Sequence, residues 1–124
     1  MPARFRERLG QGFILTIGRT EQCLLLYPSA TWEQVSQQMD EAAEMNEDHW
    51  RAVRFINLHT EEAECDSQGR LFIPSKLRDF AGLVSKAVTI GNQRRVEVWE
   101  PERLAQQSLS PEELSGFSTR LRLN

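Results

Sequence analysis

Two stretches of this chain, about 72 residues apart, carry the same pattern of residue types. Pro2-Ala3-Arg4-Phe5-Arg6-Glu7-Arg8-Leu9-Gly10 lies over Pro74-Ser75-Lys76-Leu77-Arg78-Asp79-Phe80-Ala81-Gly82. Proline falls on proline, base on base, acid on acid and glycine on glycine. After a one-residue gap Leu15-Thr16-Ile17-Gly18 lies over Val88-Thr89-Ile90-Gly91; the register then returns, and Leu24, Leu26, Tyr27 and Trp32 fall on Val96, Val98, Trp99 and Leu104. The period is too long for a solenoid unit and suits a tandem duplication of one small module.

Each copy reads alike in secondary structure. Proline at a first helical position, helix-compatible residues and a closing glycine predict short helices over 2–10 and 74–82. Two β-branched or aliphatic runs follow in each copy, 13–17 with 23–27 and 87–90 with 95–99, the second pair joined at Gly91-Asn92 as a hairpin. A helix then follows each pair. Thr31-x-x-Gln34 reads as a capping box for the first, Pro101 stands near the start of the second, and Ser110-Pro111-x-Glu113 caps a further C-terminal helix. Trp50, Val53, Phe55 and Ile56 recur at helical spacing within 46–58, a connecting amphipathic helix. The three tryptophans, Trp32, Trp50 and Trp99, read as core or helix-docking aromatics.

Copy two contains an element without a counterpart in copy one. Residues 61–65 and 70–73 read as short strands joined at Asp66-Ser67-Gln68-Gly69, where Asp can bond its own turn and Gly can take positive φ. The equivalent hairpin would precede Met1, which aligns with Ile73, so the chain reads as beginning inside a module. The resulting division is 1–45 as a first, N-terminally incomplete module, 46–60 as connecting helix, 61–104 as second module and 105–124 as a helical tail.

Composition limits the class. With 40% hydrophobic and 27% charged residues among 124, the chain is an ordinary globular one, without an apolar run long enough for a membrane span and without a signal peptide; a cytoplasmic protein is expected. Cys23 and Cys65 belong to no Cys-x-x-Cys pair and read as buried reduced thiols. The net charge of −3 hides a segregation. Residues 40–66 hold nine acids against Arg51 and Arg54, whereas 67–103 hold seven bases against four acids. That excludes a globally basic nucleic-acid binder and leaves room for a local basic patch.

Asp66-Ser67-Gln68-Gly69-Arg70-Leu71-Phe72-Ile73-Pro74, with the Pro-x-base-apolar-Arg helices, Leu24 to Pro28, Trp32 and Ile90-Gly91 through Val98-Trp99, resembles the MraZ family. These are bacterial transcriptional regulators built from two tandem AbrB-like (SpoVT-AbrB) modules, each marked by Asp-x-x-x-Arg. The resemblance implies an α+β, mainly β fold: a swapped-hairpin β-barrel in which two pseudo-symmetric modules form one unit flanked by short helices. It also implies homo-oligomeric rings, a place at the nucleoid and binding to repeated double-stranded DNA sites. On those sites the family represses the division and cell-wall gene cluster that includes its own gene. Family members begin with their own first Asp-x-x-x-Arg hairpin, which residues 1–10 do not supply.

Arg70, just past a tight turn, is the sharpest DNA-binding candidate, because a guanidinium there can fork onto phosphate or a guanine edge. The alternative is a local pair with Asp66 that holds the turn together with Gly69. Lys76 and Arg78, two residues apart on a short helix, do not share a face, and Arg4 and Arg6 are their repeat equivalents. Arg94 and Arg95 read as a solvated hairpin tip. Neither a phosphate loop nor a nucleophile elbow is present, and His49, His59 and Cys65 lack metal-ligand spacing. The expectation is therefore a protein that is not an enzyme and takes no metal, cofactor or small-molecule substrate. Two other readings remain: a protein-interaction module of the antitoxin kind, using 108–124 as a binding tail, and an assembling copy that has lost DNA binding.

Overall fold

The computed structural model describes residues 1–122. Eleven elements follow in chain order: α1 (Ala3–Leu9), β1 (Phe13–Ile17), β2 (Leu24–Pro28), α2 (Ser29–Glu44), α3 (His49–Leu58), β3 (Glu61–Ala63), α4 (Ser75–Ala81), β4 (Val88–Gly91), β5 (Val96–Trp99), α5 (Pro101–Ala105) and α6 (Pro111–Arg120). The strands form one antiparallel sheet in the order β3-β1-β2-β5-β4. No described helix is long and apolar enough to cross a membrane.

The centre of the sheet records the duplication. Where β2 meets β5, Leu24 faces Val98, Leu25 faces Glu97 and Leu26 faces Val96. Leu24 and Val96 are repeat equivalents, as are Leu26 and Val98, so the repeat exchanges the pair Leu24–Val98 with the pair Leu26–Val96. A local two-fold thus runs between Leu25 and Glu97, the isologous geometry of a dimer interface inside one chain.

The fold class is α+β as expected, but the sheet is open, which corrects the expectation of a closed barrel. β3 and β4 lie at its two edges. The predicted 61–73 hairpin is the reason: only Glu61–Ala63 ladders onto β1, and its return limb is tied by the single bridge Cys65↔Leu71. Too little strand remains to join the edges.

A second correction concerns register. Ile14 pairs with Tyr27 and Val88 pairs with Trp99, so the residue corresponding to Val88 is Ile14, one position from the sequence alignment. A one-residue slip in a strand exchanges its faces. Gly91, not Ile90, therefore corresponds to Ile17 and faces the core, where a side chain would overlap the ring of Phe5. Ile90 points outward and is partly exposed.

Helices cover both faces, which is why β1 and β2 are buried almost throughout. Phe13, Leu15, Ile17, Leu24, Leu26, Val96 and Val98 share one core with Phe5 and Leu9 of α1, Leu77 and Ala81 of α4, and Ile56 of α3. Leu25, Tyr27, Trp99 and Cys23 meet Val35 of α2 on the other face. Elements cross between the copies: β3 and α4 of the second pack on β1 of the first, and α1 of the first reaches β4 of the second.

Local signals hold in part. Ser110 and Glu113 form the full capping box on α6, and the Glu100 carboxylate accepts from the amides of Glu102 and Arg103 ahead of Pro101. Thr31 caps nothing. The chain passes from β2 into α2 at Pro28 without a linker, so the helix is already under way at Ser29, whose hydroxyl donates instead to the Gly12 carbonyl. Trp99 is buried and Trp32 half-buried against Tyr27, whereas Trp50 is 39% exposed, because Val53 and Ile56 define the buried stripe of α3. Cys23 is a core thiol; Cys65 is only half-buried.

Candidate nucleic-acid interface

The Asp66–Arg70 turn is built by its own first residue. One carboxylate oxygen of Asp66 accepts from the amides of Gln68 (2.9 Å) and Arg70 (2.8 Å), while backbone bonds join Asp66 to Arg70 and Gly69 to Asp66. Gly69 supplies the positive φ of 78° that closes the turn. The Arg70 amide above all, with the Arg70 guanidinium and the Gln68 amide, holds the Asp66 carboxyl below its ordinary pKa.

The local pair anticipated for Arg70 is present: Nε donates to Asp66 Oδ2 at 2.9 Å. This contact uses one edge of the guanidinium. The side chain remains 75% exposed, and among the described residues its terminal amino groups bond to nothing, so the pair positions the fork without occupying it.

The other bases diverge. Arg6 is turned inward. Its guanidinium lies against Gly69, which α1 buries together with the Met1 ammonium donating to the Gly69 carbonyl (3.1 Å), and its Nε is buried without a partner. Lys76 donates to the Leu58 carbonyl at 2.7 Å and lies 3.9 Å from Glu61, so it closes the C-terminus of α3. Arg4 lies over the Phe5 ring, 4.8 Å from its centre, on the exposed side of α1. Arg78 is exposed on α4. Arg70, Arg4 and Arg78 thus present free basic surface, while Arg6 and Lys76 hold the frame. His59 also belongs to the frame: its Nδ1 donates to the Phe55 carbonyl at 2.8 Å, with the ring against Phe55.

Phe72, two residues beyond Arg70, is 78% exposed, a large apolar group that the sequence reading passed over. Its signal was the alternation after the turn, which sends residues 70 and 72 to one side of an extended segment. Arg95 is likewise not a solvated tip. It is half-buried and bonds Tyr27 Oη (3.2 Å) and Glu97 (3.1 Å).

A family model described as MraZ protein matches the chain twice, over residues 1–55 and 56–121. The chain belongs to the MraZ family. Both matched segments together cover the duplication seen in the β2–β5 register. Among its relatives are proteins named Transcriptional regulator MraZ. That of Desulforamulus reducens is 40% identical over 102 residues, covering 82% of this chain and 71% of the relative. The Pelotomaculum thermopropionicum protein is 42% identical (83% and 70% covered), and the Saccharopolyspora erythraea protein 39% identical (83% and 71% covered). For an MraZ chain, the Asp66–Arg70 turn is the segment in which geometry and free charge coincide.

Proposed function

We propose that this chain is a sequence-specific DNA-binding transcriptional regulator, a repressor of the division and cell-wall gene cluster that includes its own gene. Arg70 is its principal base-reading or phosphate-clamping residue, with Arg4 and Arg78 as further exposed bases. The observation that carries the reading is an exposed guanidinium locked at its stem by Asp66, with its fork free. Preorganisation of this kind lowers the entropy lost when the side chain meets a groove. Relatives about 40% identical that are named transcriptional regulators supply the context. Assembly into a ring would present several such turns at once, and avidity over repeated promoter sites would then offset the modest charge of each copy. Arg6 and Lys76 serve this function through the frame: one backs the turn, the other ties α4 to α3.

The test is fluorescence anisotropy with duplex from upstream of the gene against a scrambled duplex, at low and physiological salt. Specific binding is expected to survive at both. Arg70→Ala should weaken it by about 1–3 kcal/mol and flatten the preference for the native duplex. Unchanged binding to both duplexes would remove Arg70 from the interface. Lys76→Ala should leave the salt dependence as it is, whereas a lost phosphate contact would reduce its slope by about one.

A second reading, a protein-binding module of the antitoxin kind, is favoured by one feature: Leu114, Phe117 and Leu121 leave an exposed apolar stripe along α6 and its C-cap. Under that reading Arg70→Ala leaves partner capture intact.

A further inference from the structure

Away from the Asp66–Arg70 turn, on the α2 side of the sheet, a cleft of about 690 Å³ opens between α2 and the turns that follow β1 and β4. Its floor is Tyr27, a residue only 2% exposed. Two guanidiniums converge on that one phenol oxygen: Arg19 Nη2 donates at 2.9 Å and Arg95 Nη1 at 3.2 Å. With both lone pairs accepting, the Tyr27 hydroxyl has its proton to offer outward. A third base, Arg94, stands on the same rim.

Charge at this site is unbalanced. Glu97 pairs with Arg95 and also accepts from Trp99 Nε1 at 2.9 Å, so its oxygens are committed. Among the described residues Arg19 and Arg94 have no acidic partner within 4 Å. The rim is nonetheless held in shape. The Asn92 side-chain oxygen accepts from the amides of Arg94 (2.8 Å) and Arg95 (2.9 Å), and the Asn92 carbonyl accepts from Arg8 of α1 (3.0 Å). With Arg95 matched by Glu97, the two guanidiniums left over, Arg19 and Arg94, give the rim an uncompensated positive charge and describe a site that awaits an anion.

We propose that this cleft binds a small phosphate-bearing molecule that also carries an apolar ring, with the phosphate among Arg19, Arg94 and the Tyr27 hydroxyl. Several separately mounted donors suit the oxygens of a tetrahedral phosphate better than they suit a planar carboxylate, which one guanidinium fork satisfies. The opposite wall is α2, where Val35, Met39 and Ala42, with Gln38 among them, give a ring an apolar surface to lie on. The volume is that of a small-molecule site. A recessed floor fits a free ligand; duplex DNA, stiff and convex, would reach the rim alone. The site joins the copies, since α2 and Arg19 come from the first and residues 92–95 from the second. It is independent of the DNA-binding reading.

Calorimetric titration of the full chain with adenosine monophosphate, adenosine and inorganic pyrophosphate tests the proposal. Saturable binding of the monophosphate is expected, at least about tenfold tighter than adenosine. The Arg19→Gln/Arg94→Gln chain, altered only at exposed positions and checked by its melting curve, should lose that binding by at least about tenfold, whereas Arg70→Ala should retain it. Failure of both phosphate probes to saturate at about 5 mM, or equal binding by the double variant, would overturn the proposal. The same double variant is titrated with duplex DNA at several salts. An unchanged salt slope is expected; a slope lowered by about one or two would assign these arginines to a DNA backbone track and overturn the small-ligand site.

Discussion

α1 and α4 share one pattern, and each buries its apolar pair four residues apart, Phe5 with Leu9 and Leu77 with Ala81. Their bases nevertheless part company. In α1 the second basic position, Arg6, is drawn down onto Gly69, while its equivalent in α4, Arg78, is free in solvent; Lys76 of α4 ties down the end of α3, while its equivalent Arg4 lies over a ring at the surface. Apolar positions obey the helix period, which duplication preserves. Long charged side chains bond to whatever lies within reach, and the neighbours of the two helices differ.

The largest effects should come from the shared positions. Phe5→Ala and Leu77→Ala are each expected to lower the unfolding free energy in urea by about 2–5 kcal/mol. A large loss for one alone would break the equivalence of the two helices. Bulk is divided differently between helix and strand, Phe5 with Gly91 in one half and Leu77 with Ile17 at corresponding positions of the other. Gly91→Ala should therefore cost about 1–3 kcal/mol through collision with the Phe5 ring, and Phe5→Leu in the same chain should recover much of it. Simple additivity of the two would show that ring and strand do not meet.

A smaller asymmetry belongs to the first half alone. Thr16 is fully buried on β1 and bonds Thr60 at 2.8 Å, and Thr60 donates its own proton to the Ile56 carbonyl at 2.7 Å, so Thr16 must be the donor between them. Thr60→Val strands a buried hydroxyl and should cost about 1–3 kcal/mol by thermal unfolding, more than Thr16→Val, which leaves Thr60 bonded. The reverse order would refute the donor assignment.

The smallest effects are those of pH. Asp66 has its pKa lowered by the turn, so its contribution is full above the ordinary value of 3.8 and is lost as pH falls below it through the folded value. Observed by NMR, Arg70 should keep its turn position on acidification past 3.8 and lose it only lower; an Asp66 titration at or above 3.8 would mean the turn does not hold the guanidinium. Cys23 behaves oppositely. Burial first, then the nearby charges of Glu97 and Glu21, push its thiol up to about 11, so its contribution is full below the ordinary 9.0 and is lost as pH rises towards 11. A thiol reagent at pH 8 should label Cys65 well before Cys23.

Much of this was legible in residue order. Proline and glycine marked α1 and α4, the Ser110 box marked α6, and Asp66 with Gly69 announced a turn that formed as written, because each of these signals acts over three or four residues. The strand register was not legible. Val88-Thr89-Ile90-Gly91 matches Leu15-Thr16-Ile17-Gly18 at three residues of four, but the turn after β4 is shorter than that after β1, and hydrogen bonding across the hairpin counts from the turn. Nor did sequence reveal the cleft around Tyr27, whose residues lie up to 76 positions apart, from Arg19 to Arg95.

By itself, then, the sequence determined the duplication, the short helices with their buried pairs, the turn that mounts Arg70 and membership of the family. Tertiary structure alone decided which bases are free, that the sheet stays open, and that Arg19 and Arg95 meet over one phenol. The physical reason is range. Backbone preference, capping and apolar period are settled among near neighbours, whereas the fate of a charge depends on which distant carbonyl, ring or guanidinium the packing of the two copies brings within about 3 Å.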